Sequence, residues 1–286
     1  MRSPEAVAVV GAGRMAHALG RLLVRAGRPV VALAGRHPER TRAAAAFVGA
    51  PPAALADAPR LASRLLIAVS DDALTQVART LAEAGMSDGA ALHTSGAHGP
   101  EALAPLAQAG VCCGALHPLQ TVPDPERGAA ALEGAFFGVT AEGPAEAWAL
   151  EIVQAARGVP LRIPAERRPL YHAAAVLAGN CLVGLVDAAV MLMSTAGVEQ
   201  ASALRALAPL VRTSAENALA LGPERALTGP VERGDWRTLE RHWKALAEAP
   251  PSVRELYRAC TRQLIALAAR RGTAEAGLRR LEQLFE

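Results

Sequence analysis

Three polar side chains interrupt a long apolar segment in the second half of the chain: His172, Asn180 and Asp187. If residues 170–196 form one helix, a rotation of about 100° per residue puts Asn180 about 80° and Asp187 about 60° from His172, on a shared face. At about 1.5 Å per residue the three span roughly 22 Å, which is too far for one small ligand. We therefore predict that His172 and Asn180 line a binding cleft, and that Asp187 pairs with another helix or a second subunit.

The type of side chain at position 172 suggests a role in proton transfer. An imidazole has an unperturbed pKa near 6.5 and can give up a proton near neutral pH, which makes His172 a candidate general acid. The alternative is a core histidine whose hydrogen bonds are satisfied inside the protein.

Three polar clusters follow predicted strands, at residues 69–72, 93–98 and 116–121. In an open sheet of parallel strands, ligands bind at the carboxyl edge, where such clusters come together. Each cluster alone is typical of ordinary turns, because Ser, Thr, Asp and Gly favour turns, but three together predict a lined crevice. We assign Ser70 to the cofactor site and Ser95 to substrate binding. His117 is the second candidate for the general acid.

A loop between two predicted helices, residues 227–235, supplies two further candidates for substrate binding, Thr228 and Arg233. The guanidinium fork of Arg233 can hold both oxygens of a carboxylate. Asp235 ends the loop and is suited to cap the helix that follows. A purely structural role for the loop is the alternative.

Near the N-terminus, a predicted strand leads into a G-x-G-x-x-A sequence and then into a helical pattern. Gly11 permits the turn, Gly13 lets the backbone approach a pyrophosphate, and Ala16 allows helix and strand to pack closely. The N-terminus of the helix then faces the phosphates. The predicted cofactor-binding residues of this turn are Gly11, Gly13, Arg14, Met15 and Ala16. A plain tight turn is the alternative.

The end of the second predicted strand indicates which dinucleotide binds. About 20 residues after the glycine turn, NAD-preferring sites carry an acidic residue that binds the adenosine ribose. Here the first charged residue is Arg36, with Arg40 one helical turn further on, and guanidinium groups suit a 2′-phosphate. The sequence therefore predicts NADP(H). Alternatively, both arginines are merely solvated and Glu39 contacts a ribose hydroxyl.

Alternating short apolar runs and helical patterns position these residues. The predicted strands are residues 6–10, 30–34, 65–69, 90–93, 114–117, 136–139 and 159–163. The remainder is predicted to be helical, at residues 170–196, 200–221, 236–249 and 252–271. This pattern is typical of an α/β protein with a Rossmann-type doubly wound, mostly parallel sheet. We place a dinucleotide-binding domain at residues 1–163 and an all-helical domain for substrate binding and dimerisation at residues 164–286.

The composition argues against several kinds of partner and ligand. The 286 residues carry a formal net charge of +3, without a basic run or interleaved aromatic residues, so no nucleic-acid partner is expected. The four cysteines lack the spacing of metal ligands, and no metal site is predicted.

The N-terminal segment and the long apolar segment suggest a cellular location and an oligomeric state. Residues 1–5 lead directly into the first strand without the features of a secretory signal, so a cytoplasmic location is expected. Residues 173–193 match a membrane span in length but contain Asn180 and Asp187, so we expect a buried core helix and no membrane contact. Because this helix is apolar on nearly every face, we predict a homodimer through the helical domain.

These motifs resemble those of a bacterial family of Rossmann-like proteins with an uncharacterised helical C-terminal domain, often described as similar to deazaflavin-dependent NADP oxidoreductases. The matching segments extend over nearly the whole chain: residues 11–16, 68–72, 93–97, 116–120, 172–180 and 226–235, with His242. That family is similar to pyrroline-5-carboxylate reductases, ketopantoate reductases and β-hydroxyacid dehydrogenases, and its second domain is similar to the helical domain of 6-phosphogluconate dehydrogenase. The resemblance implies an oxidoreductase that transfers a hydride from NADPH to a small C=O or C=N substrate, such as a 2-oxo or imino acid, in a dimer.

One position departs from the β-hydroxyacid dehydrogenases. Those enzymes place a catalytic lysine one helical turn before an asparagine, whereas here Val176 stands four residues before Asn180. The proton donor is therefore predicted to be His172, or failing that His117, with Asn180 orienting the substrate. The alternative function is a non-catalytic NADP(H)-binding sensor or regulatory module.

Overall fold

The computed structural model describes residue 3, residues 5–273 and residues 275–285. Of the N-terminal segment considered above, Met1, Arg2 and Pro4 lie outside the described residues, as do Ala274 and Glu286 of the predicted helical domain. The chain forms two compact units, Met1–Leu177 and Ala178–Glu286. The predicted boundary at residues 163 and 164 falls just after the last strand, and the helix that carries His172 belongs mainly to the first unit.

One eight-stranded sheet forms the centre of the first unit, with the strand order β3-β2-β1-β4-β5-β6-β7-β8. The strands are β1 (Val7–Val10), β2 (Val30–Gly35), β3 (Pro52–Ala54), β4 (Arg64–Ile67), β5 (Ala90–His93), β6 (Cys112–Pro118), β7 (Phe136–Thr140) and β8 (Val159–Arg162). Neighbouring strands are parallel except for β6 and β7, which are antiparallel. This mixed, mostly parallel sheet followed by a helical region confirms the predicted fold class.

Helices connect the strands and continue into the second unit. In the first unit they are α1 (Arg14–Arg25), α2 (Pro38–Val48), α3 (Ala58–Leu61), α4 (Leu74–Glu83), α5 (Ala104–Gln108), α6 (Pro125–Ala131), α7 (Gly143–Ala155) and α8 (Arg168–Ala178), which reaches the first residue of the second unit. The second unit contains α9 (Asn180–Thr195), α10 (Gln200–Leu221), α11 (Pro223–Ala226), α12 (Trp236–Ala245), α13 (Pro251–Arg271) and α14 (Glu275–Phe285).

The sheet of the first unit is covered on both faces. All four residues of β1 are buried, and successive side chains of a strand point to opposite faces. Val7 and Val9 belong to one core cluster and Ala8 and Val10 to the other. Burial on both faces explains why the strands of this sheet are short continuous apolar runs.

The edge strand β3 was not predicted. Its three residues, Pro52–Ala54, pair in parallel with β2. Proline and alanine are poor strand formers, and an edge position is where a sheet tolerates a proline, because one side of the strand needs no partner.

The predicted single helix over residues 170–196 is interrupted. Helix α8 ends at Ala178 and α9 begins at Asn180, and the residue between them, Gly179, has φ −106° and ψ −72°. The assumption of one uninterrupted helix is therefore wrong. The shared face calculated from it stays a prediction, with His172 on α8 and Asn180 and Asp187 on α9.

The expectation of a buried core helix is also wrong for a single chain. The helical stretch Ala165–Thr195 is long and apolar enough to cross a membrane by length and composition, with a mean hydropathy of 2.0, yet only 6% of that apolar window is buried. Leu177 and Val183 are 69% and 71% exposed. Something outside the single chain must cover this surface if it is to be shielded from water.

The second unit has its own small core, formed by Leu227, Val231, Leu239, Ile265, Ala268, Leu278, Leu281 and Phe285. The loop before α12 is fixed by Asp235, whose carboxylate accepts a hydrogen bond from the backbone N–H of Thr238 at 3.1 Å and from its hydroxyl at 2.7 Å. The predicted helix cap at Asp235 is thus confirmed.

Candidate functional site

The segments that follow β1, β2 and β4 enclose a cleft of about 560 Å³ in the first unit. Six of the seven predicted cofactor-binding residues line it: Gly11, Gly13, Arg14, Met15, Arg36 and Ser70. The seventh, Ala16, is completely buried in the core beneath the turn. The cleft therefore lies at the carboxyl edge of the sheet, at the start of α1.

The two glycines of the turn meet different requirements. Gly11 has φ +123°, and a Cβ at this position would overlap the carbonyl oxygen of Ala68. Gly13 is the N-cap of α1, with no side-chain cap and no atom within 4 Å of the place where its Cβ would stand. The first backbone N–H groups of α1 thus face open space, as the binding of a phosphate group requires.

The far side of the cleft carries positive charge. Arg36 and Arg40 are exposed and line the cleft, whereas Glu39, a described residue that stands between them, does not. Two guanidinium groups without an adjoining carboxylate in the lining favour an anionic group at this place. The predicted preference for NADP(H) stays a prediction.

A second group of polar side chains lies at the ends of β5 and β6 and at the start of α8: His117, Tyr171 and His172. Nδ1 of His117 lies 2.9 Å from the hydroxyl oxygen of Tyr171. The rings of His117 and His172 stand at 89° with their centroids 5.6 Å apart. All three residues are half-buried, and these contacts join them into one cluster.

Gly96 borders the space between the two imidazole rings. A Cβ at this residue would overlap Nδ1 of His172 and would lie 3.0 Å from Nε2 of His117. Within the described residues, Nδ1 of His172 is buried and has no hydrogen-bond partner. Two ring nitrogens therefore converge beside a backbone that carries no side chain.

The surroundings of His117 disfavour its charged form. Burial lowers the pKa of His117 from its usual 6.5 to about 4, and the neighbouring His172 and Arg168 lower it further in the same direction. At neutral pH this imidazole is uncharged and carries its single proton on one of its two nitrogens.

Arg168, at the start of α8, lies under this cluster and is fully buried. Its Nη1 donates to Oγ1 of Thr140 at 2.9 Å and its Nη2 to the carbonyl oxygen of Ser95 at 2.6 Å. Its guanidinium carbon lies 5.9 Å from the ring centre of Tyr171. Arg168 thus ties the loop after β5 to the end of β7 and places a buried positive charge beside the cluster.

The hydroxyl of Ser95 is occupied within its own loop. It accepts hydrogen bonds from the backbone N–H groups of Ala97 and His98 at 3.2 and 3.3 Å. Nδ1 of His98 lies 3.1 Å from this hydroxyl and 3.4 Å from a carboxylate oxygen of Asp71. Because serine and aspartate meet the same ring nitrogen, these residues are not a hydrolytic triad. The assignment of Ser95 to substrate binding stays a prediction.

His93 shows the structural role that we considered for a histidine in this protein. It is fully buried, and Nε2 lies 2.8 Å from the carbonyl oxygen of Gly99, while Nδ1 accepts from the backbone N–H of Ser95 at 3.2 Å. Burial lowers its pKa to about 4. Neutral His93 therefore shapes the loop that carries Ser95 and Gly96.

The sequence alone did not reveal the buried Arg168 or the contact between Tyr171 and His117. Arginine is almost never fully buried, and nothing in the local sequence marks Arg168 as an exception. Tyr171 could have been suspected because it adjoins His172, but its partner His117 is 54 positions away.

The other predicted site residues lie in the second unit. Asn180 is the first residue of α9, and Thr228 and Arg233 lie in the loop before α12; all three are exposed. Their assignment to substrate positioning and binding stays a prediction. Among the described residues, no group of three or more His, Cys, Asp or Glu side chains could hold a metal ion.

Two family models match the chain. Residues 2–118 match a Rossmann-like domain, and residues 135–264 match a domain of unknown function, DUF2520. Among curated proteins, no significant match was found.

Several solved structures are similar over almost the whole chain. A protein from Bacteroides fragilis, provisionally described as an NADP oxidoreductase, is 24% identical with a TM-score of 0.75, over 92% of this chain and 99% of that one. An imine reductase from Pseudomonas sp. is 21% identical with a TM-score of 0.63, over 99% of both chains. A reductive aminase from Aspergillus terreus, in complex with NADPH and ethyl-5-oxohexanoate, is 18% identical with a TM-score of 0.64, over 99% of this chain and 100% of that one.

At these identities the structural likeness establishes the fold. The chain therefore carries a Rossmann-like domain and, from its last two strands through most of the helical region, a match to the DUF2520 family model. Its fold is similar to that of NAD(P)-dependent reductases.

Proposed function

We propose that this protein is an NADPH-dependent reductase that acts on a small carbonyl or imine compound of the 2-oxo or imino acid class. The observation that carries the proposal is that one unit holds both a dinucleotide-sized cleft and a cluster of proton-carrying side chains. Thr94 lines the cleft, and Gly96, two residues later, borders the two imidazoles. The structures of similar fold support the reaction class, since they include an imine reductase and a reductive aminase in complex with NADPH.

In this proposal the backbone of the glycine turn binds the pyrophosphate and Arg36 binds the 2′-phosphate. Reduced nicotinamide supplies a hydride when it is bound. The imidazoles of His117 and His172 supply the proton that the reduced oxygen or nitrogen needs. On the sequence argument alone, we retain Asn180 for orienting the substrate, and Ser95, Thr228 and Arg233 for binding it.

The test of this function is turnover of a panel of small oxo acids and cyclic or linear imines, including ketopantoate and pyrroline-5-carboxylate, followed by the loss of NADPH absorbance. We expect at least one compound to be reduced. Tight NADPH binding without turnover of any compound would instead favour the non-catalytic binding module.

Cofactor preference gives a first quantitative prediction. Because Arg36 and Arg40 line the cleft, NADPH should bind at least about tenfold more tightly than NADH, which corresponds to about 1.4 kcal/mol. In Arg36→Ala the affinity for NADPH should fall while that for NADH stays the same. Calorimetric titration measures both, and Arg42→Ala, on the same helix, serves as the control. Equal affinities for the two cofactors in the wild-type protein would contradict the assignment.

The exposed apolar surface of α9 and α10 leads to a second prediction. We propose that a second copy of the chain covers it, because large apolar side chains stand exposed on both helices: Leu182, Val183, Leu185, Leu204, Leu210 and Leu219. A lipid surface fits less well, since Asp187 is exposed within α9 and a carboxylate at the centre of a bilayer costs about 2.5–3.5 kcal/mol.

Light scattering should therefore give twice the chain mass of 29.6 kDa at micromolar concentration. Val183→Glu should shift the population to monomer, whereas Ala173→Glu, at an exposed position on α8, should not. A monomer in the wild-type protein would contradict this proposal.

A further inference from the structure

The hydrogen bonds around His117 point to a proton relay, which rests on the reductase function proposed above. We infer that His117 delivers the proton to the substrate from Nε2 as a neutral imidazole, and that Tyr171 and the buried Arg168 act behind it as positioning residues. Three features of the site bear on this relay: the direction of one hydrogen bond, the charge state of one ring and the location of one buried cation.

The direction of the hydrogen bond between Tyr171 and His117 is part of the inference. Nδ1 of His117 lies 2.9 Å from the hydroxyl oxygen of Tyr171. In the proposed arrangement the phenol donates its hydrogen to this nitrogen. A ring that accepts at Nδ1 must carry its own hydrogen on Nε2 when it is neutral. Nε2 is the ring nitrogen that lies beside Gly96, 3.0 Å from the place where a Cβ on that residue would stand.

The fit of Tyr171 against the sheet supports this arrangement. A Cβ at position 138 would lie 2.6 Å from the hydroxyl oxygen and 2.8 Å from the adjoining ring carbon of Tyr171. Only a glycine at this position of β7 therefore leaves room for the phenol beside the side chain of His117.

The charge state follows from the groups around the ring. His172, Arg168 and His93 each disfavour a positive charge on His117, and Asp71 alone favours it; together with burial they leave its pKa at about 4. An imidazolium is thus not the form that gives the proton at neutral pH. A neutral imidazole can still transfer one if it loses the hydrogen on Nε2 while it gains one on Nδ1.

Arg168 supplies the charge that such a transfer requires. When the Tyr171 hydrogen moves to Nδ1, the phenol becomes a phenolate. Burial raises the pKa of Tyr171, and Arg168 opposes that effect. The guanidinium is fully buried and held in place by Thr140 and by the carbonyl oxygen of Ser95, so it stays beside the ring.

In the proposed step the substrate C=O or C=N carbon gains the hydride, which leaves the cofactor oxidised and the electron pair of the double bond on oxygen or nitrogen. That atom takes the hydrogen from Nε2 of His117, and Nδ1 takes the hydrogen of the Tyr171 hydroxyl, which leaves a phenolate beside Arg168. The starting state returns when water gives a proton to Nε2 and the hydrogen on Nδ1 passes back to the phenolate.

The tautomer of His117 can be measured without any substrate. In ¹⁵N-histidine NMR spectra of the full-length protein, with the signal assigned by its loss in His117→Asn, we expect a neutral ring protonated at Nε2 from about pH 8 down to about pH 5. In Tyr171→Phe the ¹⁵N chemical shift of Nδ1 of His117 should move to the value of an unprotonated imidazole nitrogen that accepts no hydrogen bond. A ring protonated at Nδ1, or one that becomes charged near pH 6.5, would overturn the relay and would leave the reductase proposal intact.

The role of Arg168 has its own readout. The chain has only two tyrosines, so in a Tyr257→Phe background the ultraviolet ionisation signal belongs to Tyr171 alone. Arg168→Met should raise the pH midpoint of this signal, and Arg168→Lys, which keeps the charge, should restore most of the difference. An unchanged midpoint in a folded Arg168→Met protein would overturn this part. If Arg168→Met does not fold, Arg168→Lys provides the test. Because lysine keeps the positive charge, the pH midpoint of Tyr171 ionisation in this variant should stay within one pH unit of the wild-type midpoint. A larger rise would overturn the proposed role of Arg168.

A kinetic measurement connects the relay with turnover. For any compound that the enzyme reduces, kcat is measured in mixtures of H₂O and D₂O. A plot of kcat against the fraction of D₂O should be curved, as expected when two protons move in the same step. Tyr171→Phe should give a linear dependence and a lower kcat with little change in KM. Tyr257→Phe is the matched control, because Tyr257 makes the same 2.9 Å contact with Nδ1 of His242 in the second unit. A linear dependence in the wild-type enzyme would contradict the relay.

Discussion

Gly11→Ala is expected to destabilise the free protein and to weaken NADPH binding together. The backbone of Gly11 has φ +123°, a conformation that costs a residue with a Cβ about 1–3 kcal/mol. The added methyl would also overlap the carbonyl oxygen of Ala68, and Ala68 itself lines the cleft. Thermal unfolding should show a fall of several degrees, and calorimetric titration a loss of affinity of at least about tenfold, or about 1.4 kcal/mol.

Gly13→Ala is the matched control for this prediction. Gly13 has φ −90°, and nothing lies within 4 Å of its prospective Cβ, so the free protein should keep its stability to within about 0.5 kcal/mol. The methyl would nevertheless stand where a pyrophosphate approaches the backbone. We expect normal unfolding together with weakened NADPH binding. Unimpaired binding in Gly13→Ala would contradict the placement of the cofactor.

Removal of either imidazole from the cluster should produce the largest loss of activity. A general acid contributes about 10²–10⁴-fold to a rate, so kcat should fall by about that factor in His117→Asn. His172→Asn should also lower kcat, because the His172 ring lies against Gly96 with its centroid 5.6 Å from that of His117. NADPH affinity should change little in either variant, since neither residue lines the cofactor cleft.

The second unit offers a control of the same chemistry. His242 is also a histidine with a tyrosine 2.9 Å from its Nδ1, but it is exposed. His242→Asn should therefore retain most of the wild-type kcat. An equal loss in all three variants would indicate a general effect on folding, and full activity in His117→Asn and His172→Asn would refute the role of the cluster.

The parts of the fold and site that were predictable are local in sequence. The glycine turn is contained in six consecutive residues, and a strand before it and a helix after it are enough to place Gly11 and Gly13. The buried strands were predictable because both of their faces are apolar. In contrast, β3 contains only proline and alanine, so its place in the sheet depends on its pairing with β2.

The cluster of His117, Tyr171 and His172 depends on contacts between distant segments. His117 lies beside Tyr171 because β6 pairs with β7 in a register that sets His117 opposite Gly138, and a single-residue shift would turn His117 to the other face of the sheet. The burial of Arg168 depends in the same way on Thr140 and Ser95, which come from separate strands and loops. The break at Gly179 was equally hidden, because an isolated glycine inside an apolar pattern is compatible with a continuous helix.

The most direct test of the proposed reductase function is isotope transfer from the cofactor. The protein is incubated with the mixed panel of oxo acids and imines and with NADPH that is deuterated at C4 of the nicotinamide, and the products are analysed by mass spectrometry. At least one reduced compound should carry deuterium on the former carbonyl or imine carbon. The His117→Asn variant should form much less of this deuterated product. NADPH that binds tightly but leaves no deuterium in any compound would contradict the proposed function.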